Sequence, residues 1–259
     1  MSRPFLFCLF GFIVVSHPVS ALPDGWGGTV VAAARKPLAT SREDEENLIG
    51  EAAISIYRRW ELGGPFAFQL TAFAAADRET AQRDYNLTNS LGLGASVRYT
   101  TECCGIFSLV AQTLLEEEVQ TNSRESGVKA GADHGIYKKV AGEWSAPRVF
   151  SGWSNIRFPG ALAGEAGNWV AQGRYELSQG FEMRPFGAAP AIFGGLGGTV
   201  DHEGLSYNNK YVFDAGARLV WKVKQASISI DARGIRDRRY KSDELFTGMQ
   251  YRLGLRWPF

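Results

Sequence analysis

The sequence predicts an all-β fold: a transmembrane, antiparallel, up-and-down β-barrel of about twelve strands, with about ten as the alternative count. Three observations predict it. Apolar and polar residues alternate with a period of two along much of the chain, the connections sort into short turns and long loops, and after the first residues no apolar run is long enough for a membrane helix.

The alternation comes first. Tyr251, Leu253, Leu255, Trp257 and Phe259 share one face, while Gln250, Arg252, Gly254 and Arg256 share the other. Successive side chains of a strand point to opposite faces, so this segment is a strand with one apolar and one polar face. Phe213, Ala215, Ala217, Leu219 and Trp221 alternate in the same way with Asp214, Gly216, Arg218 and Lys222. Trp169, Ala171, Tyr175, Leu177, Phe181 and Met183 do so with Gln172, Arg174, Glu176, Ser178, Glu182 and Arg184. Leu91, Leu93, Ala95, Val97 and Tyr99 oppose Ser90, Gly92, Gly94, Ser96 and Arg98, and Ile228 and Ile230 oppose Ser227, Ser229, Asp231 and Arg233. Helical spacing fits none of these runs as well. The predicted strands are 26–35, 48–59, 65–77, 87–101, 105–118, 124–137, 142–158, 167–183, 186–199, 209–223, 226–237 and 246–257.

The connections then sort by length. Those at 61–64, 102–104, 185 and 224–225 are short; those at 37–47, 78–86, 119–123, 159–166, 200–208 and 238–245 are longer, and 138–141 is less clear. Short turns at one end and long loops at the other describe the periplasmic and extracellular ends of an outer-membrane barrel. Both termini fall on the short-turn side, as closure with an even strand number requires. Trp153, Trp169, Trp221, Trp257, Phe181 and Tyr99 lie near predicted strand ends, where interface girdles sit.

The first residues carry Arg3, an apolar run from Phe5 to Val15, Pro18 and then Val19-Ser20-Ala21. That order is a secretory signal with cleavage after Ala21, since a bilayer core needs about 20 apolar residues to cross. The organisation expected is therefore a signal at 1–21 and one barrel domain at 22–259. Cleavage removes Arg3 and takes the net charge of +1 to zero, so no charge excess points to nucleic acid. It also removes Cys8, leaving Cys103 and Cys104 of the 3 cysteines, with neither a disulfide framework nor metal-ligand spacing. No metal and no cofactor is expected.

With its aromatic last residue and apolar residues at alternate positions before it, the run Tyr251, Leu253, Leu255, Trp257 and Phe259 resembles the assembly signal of bacterial (Gram-negative) outer-membrane barrels. The resemblance implies periplasmic transit, recognition by the barrel-assembly machinery and insertion into the outer membrane. The stretches 172–185 and 226–257 also resemble the C-terminal barrel of bacteriophage adsorption protein A, an outer-membrane receptor type related to exporters of exopolysaccharide. Larger members carry helical repeats before the barrel, for which this sequence has no room ahead of its second strand, and no functional residue is carried over.

The predicted inward face holds Arg98, Arg174, Glu176, Glu182, Asp214, Arg218, Lys222, Asp231, Arg233, Arg252 and Arg256. An Arg or Lys facing lipid at midplane costs about 2–4 kcal/mol, so these charges belong to the lumen. Two readings stay open: opposite charges pair and fill a narrow lumen, or a basic excess lines a polar pore that favours anionic or sugar solutes. Cys103 and Cys104, in an oxidising compartment, form either a strained vicinal disulfide or a plain turn element. Arg236, Arg238, Arg239 and Lys241 fall in a predicted outer loop, as lipopolysaccharide phosphate contacts or as a solvated loop. Glu116, Glu117 and Glu118 could hold a divalent cation or form a solvated acidic rim.

A lipid-modifying enzyme would want a Ser and a His within hydrogen-bond reach. His134 and His202 are the histidines after the signal; His202 shares a loop with Ser206, but no Gly-x-Ser-x-Gly elbow is present and no catalytic residue is assigned. The function expected is a narrow pore, or a surface receptor and partner of an envelope-polysaccharide or phage-adsorption system. The alternatives are an outer-membrane lipid-modifying enzyme and a plugged structural barrel. Expected partners are outer-membrane lipid and lipopolysaccharide, the barrel-assembly machinery and polysaccharide-system proteins.

Overall fold

A sheet with two such different faces can hide one of them by rolling up on itself, and this one does. The computed structural model describes residues 24–38, 47–80, 87–119, 122–143, 146–159, 167–205 and 209–259. These residues hold twelve strands: β1 (Trp26–Leu38), β2 (Ile49–Gly63), β3 (Phe66–Glu79), β4 (Thr88–Thr101), β5 (Gly105–Glu118), β6 (Ser123–Ala141), β7 (Arg148–Phe158), β8 (Val170–Gly180), β9 (Ala189–Asp201), β10 (Lys210–Val223), β11 (Ala226–Arg239) and β12 (Glu244–Pro258). Each pairs antiparallel with its sequence neighbours, and β1 pairs with β12, so the sheet closes without an edge. The count is twelve, not ten. The predicted signal lies outside the described residues.

The apolar half of the alternation points outward. Leu91, Leu93 and Val97 of β4, Leu109 and Leu115 of β5, Ile228 and Ile230 of β11, and Met249, Tyr251 and Leu253 of β12 are all exposed, whereas Glu176, Asp214, Asp231 and Arg233 are buried. This inverts the distribution of a water-soluble fold. A continuous exposed apolar band of this kind is a surface for hydrocarbon rather than water. By the same alternation, the first outward charges beyond the band are Lys36, Arg78, Glu117 and Arg236 towards one end, and Arg58 and Lys138 towards the other.

The seam between β1 and β12 is tight. Gly28 N–H donates to the Phe259 carbonyl at 2.7 Å, and Phe259 N–H donates to the Gly28 carbonyl at 3.0 Å. A Cβ on Gly28 would lie 2.4 Å from Cζ of the Phe259 ring, so only glycine lets that ring settle there.

The largest departures from the predicted strand limits lie between β6 and β8. β6 runs on to Ala141, with a register shift between Lys139 and Ala141, and β7 starts at Arg148 rather than 142. β8 stops at Gly180, and residues 181–188 form a turn containing a short 3-10 segment, Pro185–Gly187, with Phe186 at φ 53°. Proline has no N–H for a ladder, so a single-residue turn at Pro185 gives way to a longer one. Glu182 therefore sits exposed in this turn and not in the lumen. Trp153 stands opposite Arg174 in register and shares its inward face, so it is no part of an outer girdle. The ends are also less cleanly sorted than predicted: the 240–243 turn is brief and the 181–188 turn is not.

Candidate functional site

The lumen carries the chemistry, and its two sides are built differently. On β8, β10 and β11, charges two or four residues apart share the inward face, as a strand period of two requires: Arg174 and Glu176, Asp214 and Arg218, Asp231 and Arg233. β9 runs between β8 and β10 and presents Gly195 at the crossing. A Cβ there would lie 2.3 Å from Asp214 Oδ1 and 2.7 Å from Arg174 Nη2, so glycine lets the two side chains meet over the strand.

The result is a closed ring of alternating charge. Arg174 contacts Glu176 at 3.0 Å and Asp214 at 2.7 Å, and Arg218 contacts Glu176 at 2.8 Å and Asp231 at 2.7 Å. Arg233 completes it, 2.9 Å from Asp214 and paired with Asp231. Three guanidinium groups face three carboxylates, so the ring is neutral. Phe193 of β9 packs against it, with the Arg218 and Arg233 guanidinium carbons 4.5 and 5.3 Å from its ring centroid. All six of these residues, expected on the inward face, are paired within the ring. Each bond supports the next, and removing one partner of such a buried pair costs about 3–5 kcal/mol.

From β12 through β1 to β4 the lumenal charges are not joined in this way. Arg35 pairs with Glu51 at 3.0 Å. Arg252 stands opposite both Arg35 and Asp231 in register, yet it makes no ion pair among the described residues. Arg256 and Lys222 make none either, and Arg59 has only the Tyr57 ring, 5.5 Å away. Arg98 donates to Gln69 Oε1, and Gln69 lies opposite Arg59, so two cations sit beside one neutral amide. Next to them, on β3 to β7, is a cavity of about 280 Å³ lined by Gln69, Thr71, Ser96, Arg98, Gln112 and the 2.6 Å Arg157–Asp133 pair.

The remaining predicted sites separate. Cys103 and Cys104 are exposed free thiols, not a vicinal disulfide. The hydrogen bond they share holds the Cys103 thiol below the usual range and pushes Cys104 above it. Arg236, Arg238 and Arg239 belong to β11 and not to a loop, because the ladder with β12 extends to Arg239–Glu244. Arg238 pairs with Asp243 at 2.7 Å and Arg239 with Glu244 at 3.6 Å, whereas Arg236 is exposed and Lys241 is in the turn. Glu117 accepts from Arg124 and Asn89, Glu118 accepts from Ser123, and Glu116 faces the lumen opposite Ser90. No cluster of metal-ligating residues exists among the described residues.

Among the described residues, neither histidine hydrogen-bonds a serine. His134 Nε2 donates to the Cys104 carbonyl at 2.7 Å, so its Nδ1 accepts from the Tyr175 hydroxyl at 2.8 Å. Ser154 bonds that same hydroxyl at 2.9 Å, which places Tyr175 between serine and imidazole and leaves Ser154 without a base. His202 stacks on Trp169 at 6.1 Å, and Ser206 is outside the described residues. Sequence reasoning missed Phe193, Gly195, Gln69 and Gln112; the glycine-rich run on β9 was the one available signal that side chains cross there.

No protein-family model matches the chain, and no curated protein matches it. Solved bacterial outer-membrane barrels overlay most of it. The β-domain of the Bordetella autotransporter BrkA is 12% identical, with 90% of this chain and 99% of that one covered and a TM-score of 0.42. The outer-membrane channel DcaP of Acinetobacter baumannii is 10% identical over 90% and 96%, with a TM-score of 0.40. The KdgM porin is 13% identical over 89% and 99%, with a TM-score of 0.42. Similarity at this level assigns neither a family nor an activity.

Proposed function

We propose that this chain is a bacterial outer-membrane protein whose barrel encloses a narrow, water-filled pore for small anionic or sugar-like solutes. The exposed apolar band supports a place in a membrane, and strands that leave no edge suit one. The observation that carries the pore reading is the set of lumenal cations without a carboxylate partner among the described residues, Arg59, Arg98, Arg252 and Arg256, beside a ring whose own charges cancel. Fixed charge in a confined, low-dielectric channel sets the potential that a permeating ion meets, and these four guanidinium groups are the charges held there without an ion pair to a described residue. Gln69, Thr71, Ser96 and Gln112 add neutral groups that exchange hydrogen bonds with hydroxylated solutes.

Single-channel recording in planar bilayers under a potassium chloride gradient tests this. Stable steps with a reversal potential on the anion side are expected, and the double variant Arg252→Gln/Arg256→Gln moves that potential towards zero. Folded, inserted protein that gives no steps overturns the pore, and the receptor reading, with envelope polysaccharide or phage as the partner, then takes precedence.

A further inference from the structure

The cavity on the β3–β7 wall has the composition of a recognition site rather than of a passive lining. Ser96, Ser108 and Gln112 line it and make no hydrogen bond with any described residue, although each can both donate and accept. Side chains that face a lumen in a rigid sheet usually pair with one another, as they do on the opposite wall. Arg98 spends one guanidinium nitrogen on Gln69, which in turn donates to Thr71 at 2.9 Å. The other nitrogens of Arg98 have no partner among the described residues.

The cavity also has an aromatic floor. Phe73 reaches across to β4 over Gly92, where a Cβ would come within 2.4 Å of the ring's Cζ, so glycine makes room for the end of the ring. A flat aromatic face, a free carboxamide, free hydroxyls and a half-free guanidinium complement one ligand chemistry. The ring C–H face of a pyranose stacks on the aromatic, its hydroxyls reach the amide and serines, and an anionic substituent takes the guanidinium fork. At about 280 Å³ the space suits one sugar unit, near the lower end of the usual range for ligand pockets. Arg59, beside Arg98, reinforces the preference for an anion.

We infer that this cavity is a binding site for a monosaccharide carrying a carboxylate or a phosphate, with Arg98 holding the anion and Phe73 the sugar face. The inference rests on the pore reading and deepens it: a solute that binds on the way through makes the channel saturable and solute-specific. Arg98, Gln112 and Phe73 are the residues that determine specificity.

Titration of glucuronate, glucose 6-phosphate, glucose and acetate against both the single-channel current and the detergent-solubilised protein by calorimetry tests it. Block and binding by glucuronate or glucose 6-phosphate, with glucose and acetate far weaker, is the expected result, and which of the two binds tighter identifies the anion. Arg98→Gln weakens that binding about tenfold, the equivalent of one charge-assisted hydrogen bond. Arg98→Lys recovers only part of it, because an ammonium lacks the planar fork. Equal binding of acetate, or no binding of either sugar anion to the folded protein, overturns the site. Calorimetric binding without conductance instead overturns the pore and leaves the site standing.

Discussion

The two sides of the lumen use the same residue types to opposite ends. On β8 to β11, three arginines and three carboxylates close on themselves over Gly195, and Glu176, Asp214, Asp231 and Arg233 are buried. From β12 to β4, Arg59, Arg98, Arg252 and Arg256 make no ion pair with any described residue, and a polar cavity stands open beside them. A charge whose partner is fixed contributes rigidity; one whose partner is missing contributes a field. The contrast would let one barrel be both firmly built and, as a pore, electrically selective.

The largest effect should come from opening the ring. Asp231 is 2% exposed and contacts both Arg218 and Arg233, so Asp231→Ala leaves two buried guanidinium groups short of a partner. It should lower unfolding stability by about 3–5 kcal/mol, read from the urea midpoint of the refolded barrel. An unchanged midpoint would break the comparison at its first term. Gly195→Val comes next, because its side chain occupies the crossing of Arg174 and Asp214; overpacking of this kind costs about 1–3 kcal/mol in the same assay.

The other side should respond in the opposite sense. The double variant Arg252→Gln/Arg256→Gln should shift ion selectivity while moving the urea midpoint by less than about 1 kcal/mol, since no ion pair is lost. The smallest effect is that of salt. Raising ionic strength from about 0.1 M to about 1 M shortens the screening length from about 10 Å to about 3 Å, which should erode anion preference and leave the buried ring intact. Salt that unfolds the barrel before it alters selectivity would reverse the assignment of the two walls.

The alternation made both walls legible in part. All six ring residues were placed on the inward face from their period-two spacing, and the limits of β10 and β11 follow from it to within a residue or two. That those charges form a ring was not legible, because which charges meet depends on the stagger between strands and on a glycine that lets two side chains cross a third strand. Glu182 was misplaced because the pattern continues formally past Gly180, where the ladder has already stopped. Trp153 shows the converse: an aromatic at an alternating position reads as outward until its partner, Arg174, gives its face away. Gln112 and Phe73 carry no charge and no motif, so only their shared cavity singles them out.

The seam at Gly28 and Phe259 also bears on time. The strands that close the barrel are the earliest and the latest of the described chain, so the contact completing the cylinder spans almost its whole length. Loop closure on that scale is slow, and no subset of strands can finish the cylinder early. Until Phe259 arrives, every intermediate is an open sheet with two raw edges and an uncovered apolar face. A sheet that has not closed keeps unpaired edges that favour aggregation, so the speed with which the last strand pairs matters alongside the stability of the finished barrel.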